Sequence, residues 1–289
     1  MRKLDRIFLS GPPREPQMSR APLLPPLRYW LTRGLRANGL KPHRKAMSPA
    51  HQLELIDRYP TLFRLANEIT LPLEPFARDG FQIGDGWLGI VDRLAAKLAV
   101  DPDLVVAQVK EKFGELRVYI EGVAAQSAPY NPALEKQLNV ECITVREESR
   151  HICEICGEPG RHAQHILGWY ATRCEPCAAL EILEDRCRWL AARIKKPVTP
   201  GLRLATMSLK EFQGREQRSA LFRAACKIRL IHMGKAAERQ SAERRASLPG
   251  VDWQRLDQFR DEAYVLGMAA SEVWRFLKNE IFALEKALL

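Results

Sequence analysis

Between about Ala50 and Leu98 apolar residues recur at helical spacing, and Leu53, Ile56, Leu62 and Leu65 form one stripe. Gly84-Asp-Gly-Trp-Leu-Gly89 interrupts it and opens a second helix through Ile90, Leu94 and Leu98, which ends before Asp101-Pro102. The period then falls to two. Leu116, Val118 and Ile120 alternate with Arg117, Tyr119 and Glu121, while Val105, Ala107 and Val109 alternate before Lys112-Phe113-Gly114, which predicts a β-hairpin or a strand and its partner. Asn131-Pro132 pairs a capping side chain with proline at the first helical position, so a helix should run through Leu134, Leu138 and Val145 toward Cys153. Helical spacing resumes after Cys177 through Leu180, Leu183, Cys187 and Leu190.

Pro197-Val-Thr-Pro-Gly201 breaks the pattern and marks a candidate domain boundary. Beyond it Ser208-Leu-Lys-Glu211 has capping-box spacing. Leu221, Ala225, Ile228 and Ile231 read as a buried stripe, and Pro249-Gly250 separates that helix from another over Asp252–Leu266. A closing helix carries Trp274, Leu277, Ile281, Leu284 and Leu288, with Trp274 and Phe282 expected in the core. Single-stripe helices joined by short loops predict an up-down bundle. The expected fold is therefore mainly α with a small α+β module. Its parts are residues 1–46, a disordered basic Pro/Arg-rich extension, then 47–196 and the bundle 202–289.

A length of 289 residues with 46% apolar content suits two modest domains. No apolar run approaches the ~18 residues of a membrane span. Nothing resembles a signal-peptide h-region with its cleavage site. Seven cysteines, four of them in metal spacing, fit a reducing cytoplasm better than a disulfide scaffold. The net charge of +10 points toward nucleic acid, but its distribution changes that picture. Residues 1–46 hold 11 of the 45 Lys/Arg, 2 of the 35 Asp/Glu and 7 of the 19 prolines, leaving a charge of +1 on residues 47–289. The basic stretch reads as an extension unable to fold alone. The alternative is an arm that contacts nucleic-acid phosphates.

The strongest chemical signal is Cys153-Glu-Ile-Cys156, seventeen residues, then Cys174-Glu-Pro-Cys177. Two such knuckles bring four sulfurs to one point, the donor set tetrahedral Zn²⁺ prefers, and the spacing falls in the zinc-site range. A redox dithiol or disulfide pair is the alternative. Gly157 and Gly160 follow the first knuckle, where positive φ is expected. The second knuckle opens a helix, whose dipole and free amides favour thiolate. A hairpin-like knuckle followed by one at a helix start describes a treble-clef-like finger. With Cys153, Cys156, Cys174 and Cys177 all bound, no coordination position remains for water, which marks a structural metal. His151, His162 and His165 lie close in sequence and read as solvated loop residues or as an exchangeable ligand. Cys142, Cys187 and Cys226 read as small apolar residues.

Ser208-Leu-Lys-Glu-Phe212, Ile228-Arg-Leu-Ile-His-Met-Gly-Lys-Ala-Ala-Glu238, Leu248-Pro-Gly-Val-Asp-Trp253 and Phe259-Arg-Asp261, continuing into Val273-Trp274 and Ile281–Leu288, together resemble the HepT-like branch of the HEPN superfamily. The resemblance covers about 90 residues. It implies a helical bundle, a homodimer formed through it, and the setting of toxin–antitoxin or defence systems, where many relatives are ribonucleases. Of the family's nuclease motif, Arg260 matches the arginine and Asp261 the polar position, but Val265, Leu266 and Gly267 stand where a histidine is required and Tyr264 has the wrong offset. The nearest histidine in the domain, His232, lies on another helix. The resemblance thus implies a HEPN fold with a degraded RNase site. The middle region, with Gly84-Asp-Gly-Trp87, Gln108–Gly114 and the cysteines, is similar to uncharacterised bacterial and prophage proteins with zinc motifs.

No Walker loop, dinucleotide fingerprint, HExxH or G-x-S-x-G motif offers another enzymatic route. The expectation is a cytoplasmic, non-catalytic, zinc-stabilised binding protein with a protein partner. A ribonuclease with a non-standard site acting on RNA and a zinc-finger nucleic-acid regulator are the alternatives.

Overall fold

The computed structural model describes residues 27–33, 46–67, 75–122, 132–164, 168–195 and 208–288, and the protein is mainly helical with a small α+β part. The first turn of helix, α1 (Leu27–Leu31), falls inside the stretch expected to be disordered. Leu27 and Leu31, one turn apart, are buried in the first core, and Arg28 pairs with Asp57. The average composition of residues 1–46 conceals this short amphipathic turn. α2 (Pro49–Arg58) starts where Ser48 accepts a hydrogen bond from His51 N and Pro49 occupies the first turn. It ends at Tyr59 because Pro60 follows, and a residue before proline is pushed out of helical geometry. Leu62 and Leu65 are therefore buried from a turn and a 3₁₀ segment (Arg64–Ala66) rather than from a continued helix.

α3 (Pro75–Asp79) places Phe76 against Phe63 and Phe81, with ring centroids 5.4 and 5.0 Å away. Phe81 lies on β1 (Phe81–Gln82), a strand too short to show a sequence period. α4 (Leu88–Leu98) buries Ile90, Val91, Leu94, Ala95 and Leu98 on one face. The predicted hairpin is β2 (Leu104–Lys112) and β3 (Glu115–Gly122), paired antiparallel with Val109 opposite Val118 and an irregularity at Ala107. Its two-residue turn has φ of 56° at Phe113 and 75° at Gly114, the positive pair that a type I′ turn requires. β1 adds to β2 in parallel, giving the order β1-β2-β3. α5 (Pro132–Ser149) lies across β3 and α4, burying Val145, and the ion pairs Lys97–Glu141 (2.7 Å) and Arg93–Glu148 flank the contact. Asn131, expected as its cap, lies outside the described residues.

β4 (Arg161–Gln164) and β5 (Tyr170–Arg173) form a small antiparallel ribbon, followed by the long α6 (Glu175–Lys195). α6 belongs to the second core. Ala179, Leu180, Leu183, Cys187, Leu190 and Ala191 pack with residues from α7 (Leu209–Gln213), α8 (Gln217–Glu238), α10 (Trp253–Gln258), α11 (Glu262–Gly267), α12 (Ala270–Asn279) and α13 (Ile281–Leu288); α9 (Ala242–Ala246) lies outside this core. The hydrophobic packing thus carries the bundle back across residues 197–201, which lie outside the described residues. The Ser208–Glu211 capping box forms as expected.

α8 buries Phe222, Cys226, Leu230, Met233 and Ala237, whereas Leu221 and Ile228 are 64% and 48% exposed. Apolar residues occur nearly all round this helix, so spacing alone does not select its buried face. The helix expected over Asp252–Leu266 divides at Phe259–Asp261, because Asp261 caps α11 by accepting from Tyr264 N. The closing helix breaks at Glu280 into α12 and α13. Trp274 and Phe282 pack against the core. At Gly234 the helix meets the 259–260 backbone so closely that an added Cβ would sit 2.2 Å from Arg260 N. Both sides are backbone and neither can yield cheaply. Gly234→Ala should therefore lower unfolding stability by about 1–3 kcal/mol, measured by denaturant titration, although alanine is the better helix former.

Candidate metal centre

Each cysteine knuckle is built by its own backbone. Cys153 N donates to Glu158 O (2.8 Å), Gly157 N to Cys153 O (2.9 Å), and Ile152 bridges Pro159. Gly157 has φ +80°, a conformation that other residues adopt only with strain. Gly160 does not share that conformation; its Cβ position would lie 2.6 Å from Cys153 N, so it serves close approach instead. Cys174 precedes α6 and Cys177 sits in its first turn, where unsatisfied amides favour anionic sulfur. The ribbon β4–β5 joins the knuckles, so the hairpin-and-helix finger expected from the spacing is present.

The four sulfurs all lie within 4.8 Å of one another and no disulfide links these free cysteines. Cys156 Sγ is 3.5 Å from Cys174 Sγ and 3.6 Å from Cys177 Sγ. A tetrahedron with metal–sulfur bonds of about 2.3 Å has edges of about 3.8 Å, so the arrangement fits a tetrahedral thiophilic ion. The neighbouring Cys177 thiol, more than any other group, holds the Cys153 thiol down to about 4, and the same pairing pushes Cys177 upward. Burial pushes Cys156 up to about 11. A divalent ion must displace the protons these thiols retain, so its affinity is expected to weaken as pH falls, as a metal titration at several pH values would show.

The cluster sits where the two cores meet. On one side the first knuckle rests on Gly84-Asp-Gly-Trp87: Gly86 N donates to Glu154 O (2.9 Å), and the buried Trp87 donates through Nε1 to Ile152 O (2.8 Å). The β2–β3 turn presses on the ribbon, with Thr172 Oγ1 donating to Gly114 O (2.7 Å). On the other side the chain after α8 covers the second knuckle. Gln240 Nε2 donates to Pro176 O (3.1 Å), Arg239 pairs with Glu175 (3.4 Å), and Arg244 Nη2 lies 4.0 Å from Cys177 Sγ. A Cβ at Gly86 would meet Cys153 O at 2.1 Å. Gly86→Ala is therefore expected to displace the knuckle and weaken metal binding, read by competition with a chelating dye.

A buried ion network ties the ribbon to the first knuckle and to α6. Arg173 donates through Nη1 to Glu154 Oε2 (2.8 Å) and through Nε to Glu181 Oε1 (3.0 Å), with side-chain exposures of 11%, 9% and 4%. Glu154 Oε1 also accepts from Gly84 N (3.2 Å). Burial pushes the Glu154 carboxyl above its ordinary value against the pull of Arg173. Burial disfavours the Arg173 charge, but Glu154 and Glu181 outweigh it and the guanidinium is held firmly protonated. Cysteine spacing carries no sign of this network, although Glu154 lies inside the first CxxC and Arg173 directly before Cys174.

Among the described residues, His151 and His162 stay out of the cluster. His151 is exposed, and His162 Nε2 is 2.8 Å from Phe113 O with its ring stacked on Tyr170 at 5.5 Å. His165 lies outside the described residues. Cys142 and Cys226 are pushed up to about 11 and 12 by burial, and Cys187 is buried near Ile281 O (3.6 Å). Arg260 pairs with Glu238 (3.1 Å), and Asp261 is occupied as the α11 cap. Tyr264 Oη donates to Glu272 (2.9 Å). Both motif positions thus have local structural partners. Among the described residues no helix is long and apolar enough to cross a membrane. Comparisons with protein-family models, curated proteins and solved structures find no match.

Proposed function

We propose that this chain is a non-catalytic binding protein whose Zn²⁺, bound by Cys153, Cys156, Cys174 and Cys177, fixes the α+β module to the helical bundle. The observation that carries this reading is the position of an all-sulfur cluster at the seam of two cores, with its first knuckle docked on one and its second opening a helix of the other. Four thiolates fill a tetrahedral ion and leave no place for substrate, so the metal supplies rigidity. The residues of α7, α8 and α10–α13 resemble HepT-like HEPN proteins, which supports a partner in a toxin–antitoxin or defence setting. Engagement of Arg260 by Glu238 supports the view that no ribonuclease site operates there. Purified protein is expected to leave RNA intact while co-purifying with a protein from its native host. RNA cleavage abolished by Arg260→Ala would overturn the reading.

A further inference from the structure

Helices α6 and α8 face each other with cations that the neighbouring carboxylates do not match. On α6, Arg186, Trp189 and Arg193 fall at i, i+3 and i+7 and share one face. From α8, Arg229 Cζ lies 3.4 Å from the centroid of the Trp189 ring, and Arg193 Cζ lies 4.4 Å from the same point. Cation–π contact orients a guanidinium by its flat face and leaves its in-plane N–H donors unused. Arg229 Nη1 donates to Ala225 O (3.1 Å), but its Nε is buried without a partner. Arg186 Nη1 reaches Asp185 (2.6 Å), and its Nε is likewise buried without a partner. Arg193 has no ion pair among the described residues.

The acids that act on Arg229 and His232 are Asp185, already bound to Arg186, and Glu262, which Lys235 holds. Burial first, then Arg186 and Arg193, lowers Arg229 below the usual arginine value. Burial first, then Arg186, Lys235 and Arg229, does the same to His232. Crowded positive charge held in place by packing is a cost that an anion would relieve.

We propose that the α6–α8 face is a binding site for a phosphate oxyanion, held by Arg186, Arg193 and Arg229 around Trp189. Phosphate oxygens match the guanidinium fork, and the indole keeps two forks oriented before the ligand arrives, which reduces the ordering cost of binding. The same chemistry is offered by a small phosphate compound and by a nucleic-acid backbone. This site lies apart from the nuclease-motif positions and does not depend on the metal reading.

The test is calorimetric titration of the full chain with pyrophosphate and, separately, with a single-stranded oligonucleotide at fixed salt. Arg193→Gln and Arg229→Gln are each expected to weaken binding about tenfold or more. Arg188→Gln, an exposed position on the same helix with the same change in net charge, should leave it unchanged. Arg229→Lys keeps the charge but not the fork and should fall between. Binding of both ligands with this pattern supports a site for phosphate itself; binding of the oligonucleotide alone with this pattern supports the same site with a nucleic-acid source. No binding of either ligand, or an Arg188→Gln loss equal to that of Arg193→Gln, would overturn the proposal.

Discussion

Cys156→Ser and Cys174→Ser are each expected to release the metal and open the seam between the two cores. Cys156 is exposed and Cys174 half-buried, so serine in either place disturbs packing little and the effect reports the metal bond. Apparent binding free energies of structural zinc in finger peptides are about 10–16 kcal/mol, and that energy is folding energy for a module with little other core. The ribbon and knuckles contribute few buried apolar side chains, among them Cys153, Ala171 and Cys177. Limited proteolysis should therefore cut residues 150–175 rapidly in either variant and after chelation, while α2–α4 and α8–α13 resist for longer. Equal resistance of wild-type and variant proteins would contradict the account.

The second large effect is expected at Arg173. Arg173→Met leaves Glu154 and Glu181 buried without their cation, and breaking a buried ion network in this way costs about 3–5 kcal/mol. Replacing all three together (Glu154→Gln, Arg173→Met, Glu181→Gln) should recover much of the loss, since no charge is then stranded. The pH dependence has a definite sign. Glu154 is already raised from its ordinary 4.5, so its folded form binds a proton more readily than the unfolded chain. Its charge therefore costs stability above that value, and the cost fades as pH falls through the raised value. In Arg173→Met the raise is larger, so mild acidification with metal in excess should narrow the gap to wild type. A gap that widens on acidification would count against the stranded-carboxylate explanation.

The features legible in the sequence are those with local causes. Alternation over 115–121, proline after Asn131 and the Ser208–Glu211 box each act within a few residues, and each element formed where its signal lay. The cysteine spacing also worked locally, because each knuckle is closed by its own amides. What remained hidden depends on distant partners. Leu221 and Ile228 share helical spacing with buried neighbours, yet the face that α8 buries is chosen by α6 and α10. The role of Gly84-Asp-Gly-Trp87 became visible only with the first knuckle resting on it, about seventy residues away. Leu27 and Leu31 were obscured by the prolines and arginines around them. Arg173 carries no local signal because its two acids come from separate elements.

The central claim is that four thiolates close around one ion at the seam of the molecule. Zinc-edge X-ray absorption on the purified full chain tests it most directly. The account predicts about one zinc per chain, surrounded by four sulfur scatterers at about 2.3 Å with no oxygen or nitrogen in the first shell. A chain without metal, a Cys153–Cys156 disulfide, or a mixed shell with an open position would contradict it.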